Sequence, residues 1–287
     1  MKKIKTIIVP VDFSYTSFEA VKYASFLAEA HKSRIYLINI IPGLNYFYAY
    51  PDAGVTSAHV ISMHRKMNDE LKQNSLKRLY YIENTKYLKF LQVKCAVIMG
   101  TNVYADIINY AESKNADLIV MGTKGTSSFK KAILGSKIER VIRFTNIPVI
   151  AIRGKVRTPK VKNVVFASDF KTESYSVYPT LNNIIKQFNP VIHLLKINTK
   201  KQFRPFIQNK SDLDKFSKRF SGRFVPHVRS NYEIDEGIVN FARINKVDLI
   251  AIGLRRKKGA GRILGNQIAE SIIRKTDIPV LAIDVPK

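Results

Sequence analysis

The residues best suited to chemistry lie in the stretch Met121-Gly122-Thr-Lys124-Gly125-Thr-Ser-Ser-Phe-Lys130-Lys131-Ala-Ile-Leu-Gly135-Ser136. Glycine lacks a Cβ, so Gly122 and Gly125 let the chain turn tightly behind a strand and expose amide hydrogens. Gly135-Ser136 precedes the helical pattern Ser136-Lys-Ile-Glu139-Arg-Val-Ile, and the free amides of a helix start attract anions. Phosphate suits both elements, and Lys124, Lys130 and Lys131 between them add attraction. Ser136 and Glu139 also have the spacing of a capping box, which accounts for that serine but not for two glycine pairs around a lysine-bearing loop. The spacing is not that of a P-loop, and no Gly-x-Gly-x-x-Gly follows the first strand.

The elements that must hold this stretch repeat along the chain. Ile7-Ile-Val-Pro10-Val-Asp12-Phe13 recurs as Val164-Val-Phe-Ala-Ser-Asp169-Phe170. Ala116-Asp-Leu-Ile-Val-Met-Gly122 recurs as Val247-Asp-Leu-Ile-Ala-Ile-Gly253, and Thr145-Asn-Ile-Pro-Val-Ile-Ala-Ile152 as Thr276-Asp-Ile-Pro-Val-Leu-Ala-Ile283. Three anchors in the same order mean a duplicated domain. The first unit is assigned to residues 1–154, a linker rich in basic residues to 155–162, and the second unit to 163–287.

Continuous apolar runs alternate with longer amphipathic segments, the pattern of buried parallel strands joined by crossover helices. The expected class is α/β. In the first half, strands are expected near 5–11, 35–41, 92–98, 117–122 and 147–152, with helices near 15–31, 57–83, 102–114 and 136–145. The second half repeats this with a shorter middle. The closing runs Ile147 to Ile152 and Ile278 to Ile283 are apolar sheet edges that need covering, and pairing them with each other is the natural solution. The aromatic segment between Gly43 and Ala58, with Tyr46, Phe47, Tyr48 and Tyr50, has two readings: a lid over the strand ends, or a loop packed on its own domain, which is preferred.

Composition limits the partners. The 287 residues carry 48 Lys+Arg against 22 Asp+Glu, a net charge of +26, with +12 up to Lys155 and +14 beyond it. An excess spread so evenly argues for a general affinity for anions rather than a dedicated basic arm. One cysteine, Cys95, excludes an internal disulfide and a thiolate metal cage. No apolar run reaches membrane-spanning length, so no membrane partner is expected, and the cytoplasm is the expected location.

The spacing Gly122, two residues, Gly125, nine residues, Gly135 and Ser136 resembles the nucleotide motif of the universal stress protein family. The Asp-Phe strand ends and closing Ile-Pro-Val strands extend that resemblance over both halves, so the chain looks like a tandem universal stress protein. The resemblance implies two tandem open parallel five-stranded sheets flanked by helices, Rossmann-like and adenine nucleotide alpha-hydrolase-like. It implies ATP at the carboxyl ends of the first sheet's strands, as a cofactor with Mg2+. Carried across, it places Pro10 and Asp12 beside the adenosine, Ile40 at the adenine edge, Met121 and Gly122 near the ribose, and Gly125, Gly135 and Ser136 at the phosphates. Lys124 and Lys130 have no fixed place in that pattern and are expected only to add attraction. Asp12 has a second reading as a helix cap, although Ser14 caps at least as well. Because corresponding strands pair across dimers in the family, the tandem chain is expected to form that pseudo-dimer within itself; further homo-oligomers are not legible.

The second half departs from the motif. Asp169 and Ile197 keep the adenosine-side positions, but Arg256 stands three after Gly253, and Gly265 and Asn266 close the run one step early with no hydroxyl. The expectation is a degenerate second site, the spacing being read as a one-residue deletion in the loop. Arg255 to Lys258 with Arg262 either grip another anion or form a solvated loop, the latter preferred. There is no Gly-x-Ser-x-Gly elbow, no His-Glu-x-x-His and no clustered ligand spacing, so at most slow ATP hydrolysis is expected. The leading reading is an ATP-binding regulatory module acting on an unidentified protein partner in the stress response. The competing one is a basic-surface binder of nucleic acid or acidic partners, disfavoured because strands with interleaved aromatics are missing.

Overall fold

The computed structural model describes residues 3–42, 58–123, 136–156, 159–254 and 263–285. Two βα units of the same design lie in one ten-stranded sheet. The first contributes β1 (Thr6–Pro10), β2 (Arg34–Pro42), β3 (Gln92–Gly100), β4 (Leu118–Gly122) and β5 (Val149–Ile152), with α1 (Tyr15–His31), α2 (Ala58–Glu83), α3 (Val103–Ser113) and α4 (Ser136–Phe144). The second contributes β6 (Asn163–Ala167), β7 (Val191–Asn198), β8 (Arg223–Ser230), β9 (Leu249–Leu254) and β10 (Val280–Asp284), with α5 (Thr172–Ile185), α6 (Phe206–Arg219), α7 (Ile234–Ile244) and α8 (Ile263–Lys275). Single 3-10 turns occupy Lys186–Phe188 and Lys200–Gln202.

Strand order is β3-β2-β1-β4-β5-β10-β9-β6-β7-β8. Every pairing is parallel except β5 with β10, where Val149, Ile150 and Ala151 face Ala282, Leu281 and Val280 antiparallel. The two expected five-stranded sheets are therefore one continuous sheet, because the apolar closing strands cover each other's edges. The central strands are buried on both faces, as Ile7, Ile8, Val9, Ile119, Val120, Val164, Val165 and Ile250 show, which explains their unbroken apolar runs.

The repeated anchors have physical jobs. Asp117 Oδ2 accepts the Lys5 and Thr6 amides at 2.8 and 3.1 Å, and Asp248 Oδ2 accepts those of Lys162 and Asn163 at 3.0 and 2.9 Å. Each aspartate locks the start of one strand to its neighbour. Thr145 and Thr276 Oγ1 each accept the amide two residues on, from Ile147 and Ile278, both at 3.1 Å, turning the chain into the closing strand.

The halves also meet through helices. Phe26 of α1 stacks on Phe188 with centroids 4.8 Å apart, and His31 Nε2 lies 2.8 Å from the Ile184 carbonyl. The linker is held at both ends: buried Glu19 takes the Val156 amide at 2.7 Å, and Val161 is buried. Among the described residues no helix is long and apolar enough to cross a membrane.

Candidate functional site

At the carboxyl ends of β1, β2 and β4 a small cleft of about 40 Å³ is lined by Pro10, Asp12, Ile40, Met121 and Gly122, together with Val11, Ser17, Ile38, Asn39, Val103, Ile107 and Lys137. The first five, chosen from scattered sequence positions, converge on one place. Gly125, Gly135, Lys124 and Lys130 lie outside the described residues, as does the aromatic segment 43–57; Ser136 begins α4.

Local geometry builds the cleft. Phe13, at φ 62°, turns the chain sharply after Asp12, a conformation unusual for a residue with a Cβ. The Arg78 guanidinium sits 3.7 Å from its ring centroid. Ser14 caps α1 by accepting the Ser17 amide at 3.2 Å, and Asp12 Oδ1 accepts the Ser14 amide at 3.0 Å. The capping role therefore belongs to Ser14. Burial opposes ionisation of Asp12, but the Ser14 side chain and amide, the Ser17 hydroxyl and the Lys137 charge outweigh it and hold the carboxyl below its usual range. Asn39 is buried; its Nδ2 donates to the Val11 carbonyl at 2.6 Å and its Oδ1 accepts from Ser75 Oγ at 2.7 Å, tying β1 and β2 to α2.

Gly122 has a packing reason of its own. A Cβ there would lie 2.5 Å from the backbone carbon and oxygen of Thr16 and 2.6 Å from the Ser17 amide, because the start of α1 rests on the end of β4. At Gly253 the nearest atom to a Cβ would be Val177 Cγ2 at 3.1 Å, a side chain rather than backbone.

Sequence reasoning missed Lys137, Ser17, Asn39, Val103 and Ile107 as lining residues. Lys137 follows Ser136 in the first turn of α4, and Asn39 is a polar residue inside a buried strand; both signals were present in the sequence. The donor set fits a nucleotide with polarity along its length. An ionised Asp12 suits hydroxyl donors and would repel phosphate, whereas the charge of Lys137 and the N-terminus of α4 would favour an anion. Thr123, next after Gly122, is buried, and among the described residues its hydroxyl has no partner.

The second half has the matching cleft, and it is larger, about 170 Å³. It is lined by Ala167, Ser168, Asp169, Leu195, Lys196, Ile197, Gln202, Ile234, Ile238, Ile252, Gly253 and Ile268. Size and motif thus point to different halves. Chemistry separates them better than volume: isoleucines replace Met121 and Val103, buried Lys196 replaces Asn39, and Ser168 Oγ binds Ser174 Oγ at 2.5 Å beside Asp169. Asp169 Oδ1 takes the Lys171 amide at 3.1 Å, and Phe170 repeats the left-handed turn at φ 55°.

Contacts between α4 and α8 correct the expected deletion. Arg143 reaches Glu270 at 3.1 Å and Arg274 reaches Glu139 at 3.3 Å, a reciprocal pair of ion pairs across the join. Arg143 and Arg274, like Glu139 and Glu270, Gly122 and Gly253, and Thr145 and Thr276, are 131 residues apart. Counted in that register, Asn266 stands where Gly135 does and Gln267 where Ser136 does, and no residue is missing. Gly265 lies inside α8 rather than before it. The second motif is changed by substitution at equal length.

A parallel α/β unit with its cleft at the carboxyl strand ends is the architecture of the doubly wound class, here duplicated within one chain. The universal stress protein family model matches residues 3–153 and again 162–284, so the chain belongs to that family. Universal stress protein MJ0531 of Methanocaldococcus jannaschii is 34% identical over 150 residues, 52% of this chain and 82% of that protein. Universal stress protein G of Escherichia coli O157:H7 is 29% identical over 151 residues, 52% of this chain and 99% of that protein. A crystal structure of a universal stress protein from Archaeoglobus fulgidus superposes over 99% of this chain and 98% of its own with TM-score 0.70 at 18% identity, so the tandem fold is shared end to end.

Proposed function

We propose that this universal stress protein is an ATP-binding regulatory module whose first half holds the nucleotide with Mg2+. The observation that carries the reading is the convergence of Pro10, Asp12, Ile40, Met121 and Gly122 on one cleft beside the start of α4. Pro10, Asp12 and Ile40 would take the nucleoside, Met121 and Gly122 the sugar side, and Ser136 and Lys137 the phosphates, with Gly125 and Gly135 supplying amides. Lys124 and Lys130 would add attraction, and bound magnesium would shield phosphate charge. Occupancy would alter the surface offered to a protein partner in the cytoplasm. Hydrolysis is not part of the proposal.

The test is to denature protein purified without added ligand and to identify and count the released nucleotide by mass spectrometry and absorbance, followed by titration with ATP and magnesium. One adenine nucleotide per chain is the expected result. Two would overturn the degenerate second site, and none, with no binding in the titration, would overturn the proposal. Gly125→Val is expected to abolish ATP binding in a folded protein; unchanged affinity would remove the glycine loop from the site.

A further inference from the structure

Asn198, at the carboxyl end of β7, ties two loops together. Its side chain donates to the Arg204 carbonyl and accepts the Arg204 amide, both at 3.0 Å, while its backbone carbonyl takes the Asn231 amide at 3.2 Å. Buried Asn209, in the first turn of α6, donates to the same Arg204 carbonyl at 3.0 Å. The turn is thus fixed by its own hydrogen bonds, yet it presents large apolar side chains to water. Phe203 is 71% exposed, Phe206 62%, Ile207 80%, and Tyr232 on the second tethered loop 90%.

Rigid apolar exposure of this kind marks a binding surface. Its setting is basic: from Lys200 to Lys210 the chain carries Lys200, Lys201, Arg204 and Lys210 and no acid. Arg204 is paired with Asp212 at 2.6 Å, leaving Lys200, Lys201 and Lys210 exposed around the apolar group, with Arg229 exposed at the end of β8 and Glu233 as the acid beside Tyr232. Lys210 lies three residues after Ile207 and four after Phe206, on one flank of the helix.

We propose that this corner docks on an anionic lipid surface. Phe203, Phe206 and Ile207 would enter the headgroup boundary, Tyr232 would sit at the interface with its hydroxyl in water, and the lysines would meet lipid phosphates. Apolar insertion with flanking Lys or Arg is how proteins without a spanning helix hold to membranes. Exposed aromatics flanked by lysines also suit single-stranded nucleic acid, but Ile207 has no ring to stack on a base and needs an apolar medium. The inference is independent of nucleotide binding, since it uses none of the first-half cleft.

The experiment is sedimentation of the full chain with vesicles of phosphatidylcholine alone and of phosphatidylcholine with phosphatidylglycerol, at moderate salt. The expected result is binding to the anionic vesicles only, reduced about tenfold or more in Phe203→Ser/Phe206→Ser/Ile207→Ser, whose charge is unchanged, and several-fold in Lys200→Gln/Lys201→Gln. Circular dichroism and thermal melting establish that both variants are folded. Undiminished binding by the triple serine variant would overturn the proposal, because the net charge alone would then explain adsorption. So would failure of the unmodified protein to bind anionic vesicles. Binding of a single-stranded oligonucleotide but not vesicles, lost in the same serine variant, would assign the patch to nucleic acid instead.

Discussion

The two halves share their scaffold bonds and differ where a ligand would sit. Asp117 and Asp248 lock strands in the same way, and Thr145 and Thr276 turn the chain identically. Left-handed residues recur as Phe13 and Phe170, Lys32 and Asn189, and Asn115 and Lys246. None of these scaffold groups except the turn after the aspartate touches the cleft. After duplication the second half was therefore free to exchange Met121 for Ile252, Asn39 for Lys196 and the glycine-serine helix start for Asn266-Gln267 without loosening the sheet. The lesson is a separation of labour: strand starts and αβ turns hold the fold, and strand ends with the following loop carry the site.

The comparison breaks most visibly at the paired glycines. Gly122→Ala pushes a Cβ into the backbone of Thr16 and Ser17, where nothing flexible can yield, and is expected to destabilise by about 1–3 kcal/mol. Gly253→Ala meets only the Val177 side chain, its nearest methyl at 3.1 Å, and should cost under about 1 kcal/mol. Urea denaturation of both variants measures the difference; equal losses would mean the two helix starts pack alike. Next in size is the paired aspartates' effect on ligand. Asp12→Asn should weaken ATP about tenfold, roughly 1.4 kcal/mol, by calorimetric titration, while Asp169→Asn leaves the affinity unchanged. If Asp169→Asn weakens ATP as much, the second cleft is the nucleotide site.

The reciprocal ion pairs sharpen the comparison of register. Arg143→Ala leaves Glu270, whose side chain is 6% exposed, with Arg274 alone, whereas Arg274→Ala affects Glu139, at 23%, as well as Glu270. Each arginine is about two-fifths exposed, so each loss should be near 1 kcal/mol. The double variant should lose more than the sum, because both arginines serve Glu270 and only their joint removal takes both cations from the buried carboxylate. Strict additivity in a denaturation cycle would show that the pairs do not share it.

The elements were legible because buried strands and amphipathic helices have different periods, and α1 falls on the expected residues 15–31. Pairing of the closing strands was legible too, from their apolar edges. The left-handed Phe13 was not, although the Asp-Phe repeat was its trace: backbone conformation at one residue is set by what the following helix packs against. The register of the second motif was misread because a glycine was matched to a glycine. The bounds of α8 place Gly265 inside the helix, and the ion pairs between α4 and α8 set the 131-residue correspondence. Lys137 and Asn39 were overlooked because a lysine in a first helical turn and an asparagine within a strand acquire meaning only when strand ends are brought side by side.

The effect that is smallest at neutral pH concerns the edges of the sheet. In the first half Tyr36 packs edge-on to Tyr110, centroids 6.1 Å apart; in the second, His193 takes the same position against Phe241, and His227 occupies the place of Ala96. His193 Nδ1 and His227 Nε2 are 3.0 Å apart, so one ring must donate and the other accept, which requires the accepting ring to be neutral. Burial lowers both, and with His193 and Arg229 nearby His227 falls to about 4. A histidine whose folded pKa lies below its unfolded value contributes stability above the unfolded pKa, near 6.5, and that contribution is lost as pH falls towards about 4. The melting temperature of the unmodified protein should therefore drop between pH 7 and pH 5. His227→Ala, which recreates the first half's residue, should show a shallower drop, with the difference opening below about pH 6.5 and growing towards pH 4. His31, also held below its ordinary value by burial, is present in both proteins and cancels in the comparison. An identical pH dependence in the two proteins would mean that the imidazole pair stays neutral at no cost to the fold.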